Sequence, residues 1–70
     1  MAWTRPVFSD MIAEVGYDDE TQEMSITFKK GKTAVYCCVP EDVAETLSRA
    51  PSCGSMFHEQ IKGQYPFRYV

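Results

Sequence analysis

No apolar run in these 70 residues approaches the ~18 that a membrane span needs, and no charged-then-apolar leader opens the chain. A cytoplasmic protein with no membrane partner is therefore the expectation. Cysteine is scarce and odd in number: Cys37, Cys38 and Cys53, the first two adjacent. Neighbours on an extended strand point to opposite faces, so a Cys37–Cys38 bond would be strained, and reduced thiols are expected. Without a Cys-x2-Cys pair, nothing nucleates a zinc site around His58, the only histidine. Cys53 and His58 stand five positions apart, more than one helical turn, with Glu59 directed elsewhere on the helix, so a Cys–His nucleophile has no orienting carboxylate. The expectation is no enzyme, no metal and no cofactor. Positive charge is also thin, with seven Lys and Arg against ten Asp and Glu and a formal net charge of −3. That balance argues against non-specific attraction to a phosphate backbone, although Lys29, Lys30 and Lys32 share one short stretch. Internal repeats, low-complexity segments and linkers are absent too.

What is present suits one small α+β domain. Residues 1–6 have no period and end in a proline, so residues 1–8 read as a flexible lead ahead of a single domain over 9–70. Ser9 can cap a single helical turn holding Met11 and Ile12. Ala13 to Tyr17 reads as a first strand, followed by an acidic turn at 18–22. Met24, Ile26 and Phe28 then alternate with Ser25, Thr27 and Lys29, the pattern of a half-buried strand. Lys30-Gly31-Lys32 makes the next turn, and a strand resumes from Thr33 to Val39. Pro40 suits the first position of a helix, with Glu41 and Asp42 at its positive end and Arg49 in its last turn. Val43 and Leu47 form its apolar stripe, and Pro51 stops it. Ser52 or Ser55 can cap a second helix whose Phe57 and Ile61 face inward, ended by Lys62-Gly63. Tyr65 to Val70 can add a short closing strand. The sum is a three- to four-stranded antiparallel meander covered on one face by two short helices, with Ile26, Phe28, Leu47, Phe57 and Ile61 in the core.

The ordered set Ile12, Gly16-Tyr17-Asp18, Phe28, Gly31, Tyr36, Val39-Pro40, Val43, Leu47, Ala50, Ser52, Gly54-Ser55, Phe57, Ile61, Gly63 and Tyr65-Pro66 resembles the KTSC domain over residues 9 to 70. That family is named for its occurrence at the C-terminus of some lysyl-tRNA synthetases, and it also occurs as stand-alone small proteins of bacteria and phages. The resemblance implies a fold, a loose link to RNA through that fusion, and no reaction. The chain departs from the family pattern in two places. Ala34 stands where members typically carry the first tyrosine of a Tyr-x-Tyr pair, leaving Tyr36. His58, Glu59 and Gln60 replace the Asn and Arg or Lys common around the second helix. Both changes remove features that a nucleic-acid surface would use.

Two stretches can bind a partner, and each has a plain structural explanation. Lys29, Lys30 and Lys32 can meet phosphates with Tyr36 as a stacking ring, or simply keep a solvated turn from pairing edge to edge. Ser52, Gly54 and Ser55 can present N–H groups to an anion, assisted by His58, Lys62 and Arg68, or merely cap and bend the chain. Trp3 and the aromatic tail can complete the core or form a patch for a protein or a second copy. The leading expectation is a non-catalytic binding module that contacts a protein or nucleic acid, with homodimerisation open. RNA or single-stranded nucleic acid is the alternative partner. A third reading is capture of a small phosphorylated ligand or the blocking of a host protein.

Overall fold

The alternation of Met24, Ile26 and Phe28 with Ser25 and Thr27 builds the centre of the sheet. Met24 and Ile26 are fully buried on the side that the helices cover, while Ser25 and Thr27 lie on the other. The computed structural model describes residues 2–70. It contains β1 (Ala2–Pro6), β2 (Ile12–Asp18), β3 (Glu23–Phe28), β4 (Thr33–Tyr36), α1 (Glu41–Arg49), α2 (Cys53–Met56), a π turn (Phe57–Ile61) and β5 (Phe67–Tyr69). The described strands form one five-stranded sheet in the order β1-β2-β3-β4-β5, antiparallel at every pairing. The connections from β1 to β4 are too short for a parallel crossover, whereas β5 returns after α1, α2 and the π turn to pair antiparallel with β4. Both helices lie on one face, which is the expected architecture with a wider sheet.

The extra strand is β1. Residues read as an aperiodic lead pair in register with β2, Trp3 opposite Tyr17 and Arg5 opposite Val15. Met1, at the head of that expected lead, lies outside the described residues. The period was hidden because Arg5 occupies a helix-facing position with its stem packed and its charge satisfied. Its guanidinium lies 4.3 Å from the Trp3 ring centroid and reaches Glu45 on α1 at 2.9 Å. Pro6 is tolerated because β1 is an edge strand and Pro6 ends it.

The helical turn expected after Ser9 is not formed, although the capping chemistry is. Ser9 Oγ accepts the amides of Met11 and Ile12 at 3.2 and 3.3 Å, and the chain runs directly into β2. β4 ends at Tyr36, not at Val39. Cys37 and Cys38 bend, with Cys38 at φ 61, and Val39 turns back to donate its amide to Gln22 O at 3.0 Å. Pro40 is the residue before α1 and not its first. Neither Ser52 nor Ser55 caps α2 with its side chain; the Ser52 carbonyl accepts the Met56 amide at 3.0 Å instead.

The core is one cluster between the sheet and the helices. Ile12, Val15, Ile26, Val39, Leu47 and Ile61 are fully buried, and Phe57 inserts its edge against Phe28 and Tyr36, each at 5.7 Å between centroids. Phe57 and Ile61 face inward as their spacing predicts, but through a widened π turn, and Lys62 donates to Phe57 O at 2.9 Å. Gly63 closes that segment at φ 81, a left-handed position that glycine adopts at no steric cost.

Candidate nucleic-acid interface

The turn between β3 and β4 is a three-residue loop. The Phe28 amide donates to Lys32 O at 2.8 Å, Gly31 donates to Phe28 O at 2.9 Å, and Gly31 takes φ 99. A type I turn followed by a left-handed residue gives this geometry and holds Lys29, Lys30 and Lys32 on a short, well-defined arc. The Lys29 amide donates to Met11 O at 2.9 Å, which fastens the start of β2 to the same arc. Val70 donates to Thr33 O at 3.0 Å and carries Tyr69 alongside, with Lys32 Nζ 5.5 Å from the Tyr69 ring centroid.

These elements enclose a groove of 450 Å³ with an apolar floor of Met11, Phe28 and Tyr69, rimmed by Lys29, Lys30, Lys32 and Asp10. The structure brings the three lysines of the expected basic stretch to one groove, but not Tyr36. Tyr36 is only 3% exposed, wedged between Phe57 and Phe67, so it cannot stack a ligand. Burial first, and then the neighbouring Tyr69, push its phenol pKa up. Tyr69, 60% exposed, stands in the place that Tyr36 was expected to fill. Its alternation with Phe67 was the available signal, since register places Tyr69 opposite Ala34, whose small side chain cannot cover it.

The second expected site does not assemble. Ser52, Gly54 and Ser55 line a separate depression with Phe8, Ser9 and Asp10. α2 has four residues and therefore little dipole. Gly54 serves packing: a Cβ at that position would lie 3.3 Å from Ser9 Oγ. Arg68 is on the other face of the sheet, opposite Val35, and is paired with Glu23 at 3.1 Å. It cannot assist the helix start. His58 and Lys62 are exposed, and His58 contacts the edge of the Phe57 ring at 6.4 Å.

Cys53 is buried, and burial pushes its thiol pKa up, away from the thiolate that a nucleophile needs. Among the described residues no group of three or more His, Cys, Asp and Glu side chains gathers as a metal site, and no helix is long and apolar enough to cross a membrane. Phe8 is fully exposed at the depression that Ser52, Gly54 and Ser55 line, a residue that sequence reasoning passed over because it has no periodic partner.

Residues 8–65 match the family model of the KTSC domain. The chain is 39% identical over 60 residues to a lysine–tRNA ligase of Nostoc punctiforme, which covers 86% of this chain and 11% of the ligase. A lysine–tRNA ligase of another Nostoc species is 41% identical over 54 residues, 77% of this chain and 10% of the ligase. The chain thus spans about a tenth of the ligases that it matches. An uncharacterized protein of Stutzerimonas stutzeri is 34% identical over 61 residues, 87% of this chain and 84% of that protein. In three dimensions the chain is similar to the crystal structure of a KTSC domain protein from Yersinia pestis, with a TM-score of 0.90, 32% identity, and coverage of 100% of this chain and 99% of the other. From the family match over most of its length and the likeness of fold at this level of identity, this chain belongs to the KTSC domain family.

Proposed function

We propose that this chain is a non-catalytic binding module that holds single-stranded RNA in the groove between Met11, the β3–β4 turn and Tyr69. The observation that carries the reading is the juxtaposition of three ammonium groups with an exposed ring over an apolar floor, in a chain of net charge −3. Lysines follow a phosphate backbone while an aromatic face stacks a base whatever its identity. A duplex would not reach the ring, whereas an unpaired base can. The relation to a segment of lysine–tRNA ligases supports RNA as the polymer. Burial of Cys53 and pairing of Glu45 and Glu23 with arginines support the non-catalytic part of the reading.

Fluorescence anisotropy with a labelled short RNA at about 50 mM salt tests it, a condition under which phosphate contacts are weakly screened. Binding is expected, with a loss of about tenfold or more for Tyr69→Ala, since one stacked base contributes roughly 1–3 kcal/mol. Replacing Lys29, Lys30 and Lys32 together by Ala should reduce binding further. No detectable binding under these conditions sinks the reading.

A second reading has its own observation. β5 is an edge strand with Phe67, Tyr69 and Val70 exposed at 50%, 60% and 75%, a template for pairing with a protein strand or a second copy. Sedimentation showing monomer alone at high micromolar concentration would remove the homodimer.

A further inference from the structure

We infer that the groove reads a base as well as phosphates, and that Asp10 selects an unpaired guanine. The inference rests on the proposed RNA-binding function and deepens it by naming the nucleotide. Asp10 is the one acidic residue lining a groove otherwise formed by Met11, Phe28, Tyr69 and the three lysines. The backbone next to Asp10 is held in place. Ser9 Oγ accepts the amides that follow Asp10, and Met11 O accepts the amide of Lys29. The ion pairs among the described residues engage Glu45 and Glu23 and leave the exposed Asp10 carboxylate out.

A bare carboxylate beside a phosphate track is a repulsive element unless it has a task. Ionised, it only accepts hydrogen bonds, through two oxygens side by side. Guanine alone among the four RNA bases sets two donors side by side on its Watson–Crick edge, N1–H and the N2 amino group. One carboxylate can take both in a planar pair. Adenine and cytosine place an amino donor next to a ring-nitrogen lone pair, and uracil places N3–H between two carbonyls. Each would turn a lone pair toward the second carboxylate oxygen. Stacking on Tyr69 presents the edge of a base, not its face, to the surrounding rim. The volume of 450 Å³ falls in the roughly 300–1,000 Å³ range of small-ligand sites and so has room for one nucleotide.

The test uses four uridine-rich RNA hexamers that differ at one central position, carrying guanosine, inosine, adenosine or cytidine, and reads affinity by anisotropy for the wild-type chain and Asp10→Asn. Asp10 is exposed, so the substitution leaves the core intact. The expected result is about tenfold preference for guanosine over adenosine and cytidine, with inosine between because it lacks the amino group. Asn presents an amino group beside a carbonyl, so Asp10→Asn should weaken the guanosine hexamer, tighten the adenosine hexamer and so lose the guanosine preference. Equal affinity for all four hexamers, or a guanosine preference that survives Asp10→Asn, overturns the inference and leaves the RNA-binding reading standing. Absence of binding to every hexamer overturns both.

Discussion

Tyr17 donates its hydroxyl to the Val39 carbonyl at 2.7 Å inside the core, fastening β2 to the segment that leads into α1. Removing the hydroxyl leaves a buried carbonyl without that donor, and Tyr17→Phe should lower stability by about 1–2 kcal/mol, measured by urea unfolding. An unchanged midpoint would contradict the role assigned to this bond. The same burial has a consequence for pH. Tyr17 and Tyr36 are raised above the ordinary 10.0, and Cys53 above the ordinary 9.0, in each case chiefly by desolvation. Around Tyr17 the charges of Glu41, Asp19, Asp42 and Asp18 add to it. Each group therefore holds its proton more tightly folded than unfolded. Its contribution is complete below the ordinary value and is lost as pH climbs through the folded one. The urea midpoint should lose height above about pH 9, and a midpoint that climbs in that alkaline range would contradict the sign.

At the level of elements, β1 depends on α1. Arg5 binds Glu45 at 2.9 Å and the Ser48 hydroxyl at 3.3 Å, and Glu45 also meets Arg49 at 3.3 Å. The Arg5 and Glu45 side chains are about a third exposed, so solvent screens the pair, and Arg5→Ala should cost only about 0.5–1 kcal/mol globally. Its larger effect should be local: faster amide hydrogen exchange across Ala2–Pro6 than across β3, and equal acceleration in both strands would rule this out. This dependence also explains which elements were legible. β3 was readable because apolar and polar residues alternate along it, and α1 because Pro40, the acidic first turn and Pro51 punctuate it. β1 was not, since its inward residues are Trp3 and Arg5, one amphipathic and one charged, and their partners are supplied by a helix nearly 40 residues later. The basic arc of the candidate site was likewise legible as a run of lysines. Its ring was not, because only the pairing of Tyr69 with Ala34 shows which aromatic remains uncovered.

For the whole molecule, three of the seven basic residues are gathered at one end. Asp18 and Glu23 lie on the open side of the sheet with Arg68, whereas Lys29, Lys30 and Lys32 gather around the groove at the far end of the β3–β4 hairpin. RNA bound there should thus show electrostatics set by three lysines, not by the net charge. The logarithm of affinity should fall with the logarithm of salt at a slope near −2, about 0.7 per neutralised phosphate on a single strand. A flat response would mean that the ammonium groups make no phosphate contacts.

Trp3, the sole tryptophan, rests 5.9 Å from the Tyr17 ring in β1, while the groove adjoins β5 at the opposite margin of the sheet. Indole emission therefore reports the docking of the first strand and is remote from any occupant at the other edge. A titration that leaves this fluorescence untouched while a labelled oligonucleotide slows its tumbling would separate occupancy from loosening of the fold, using an intrinsic dye that the chain already carries.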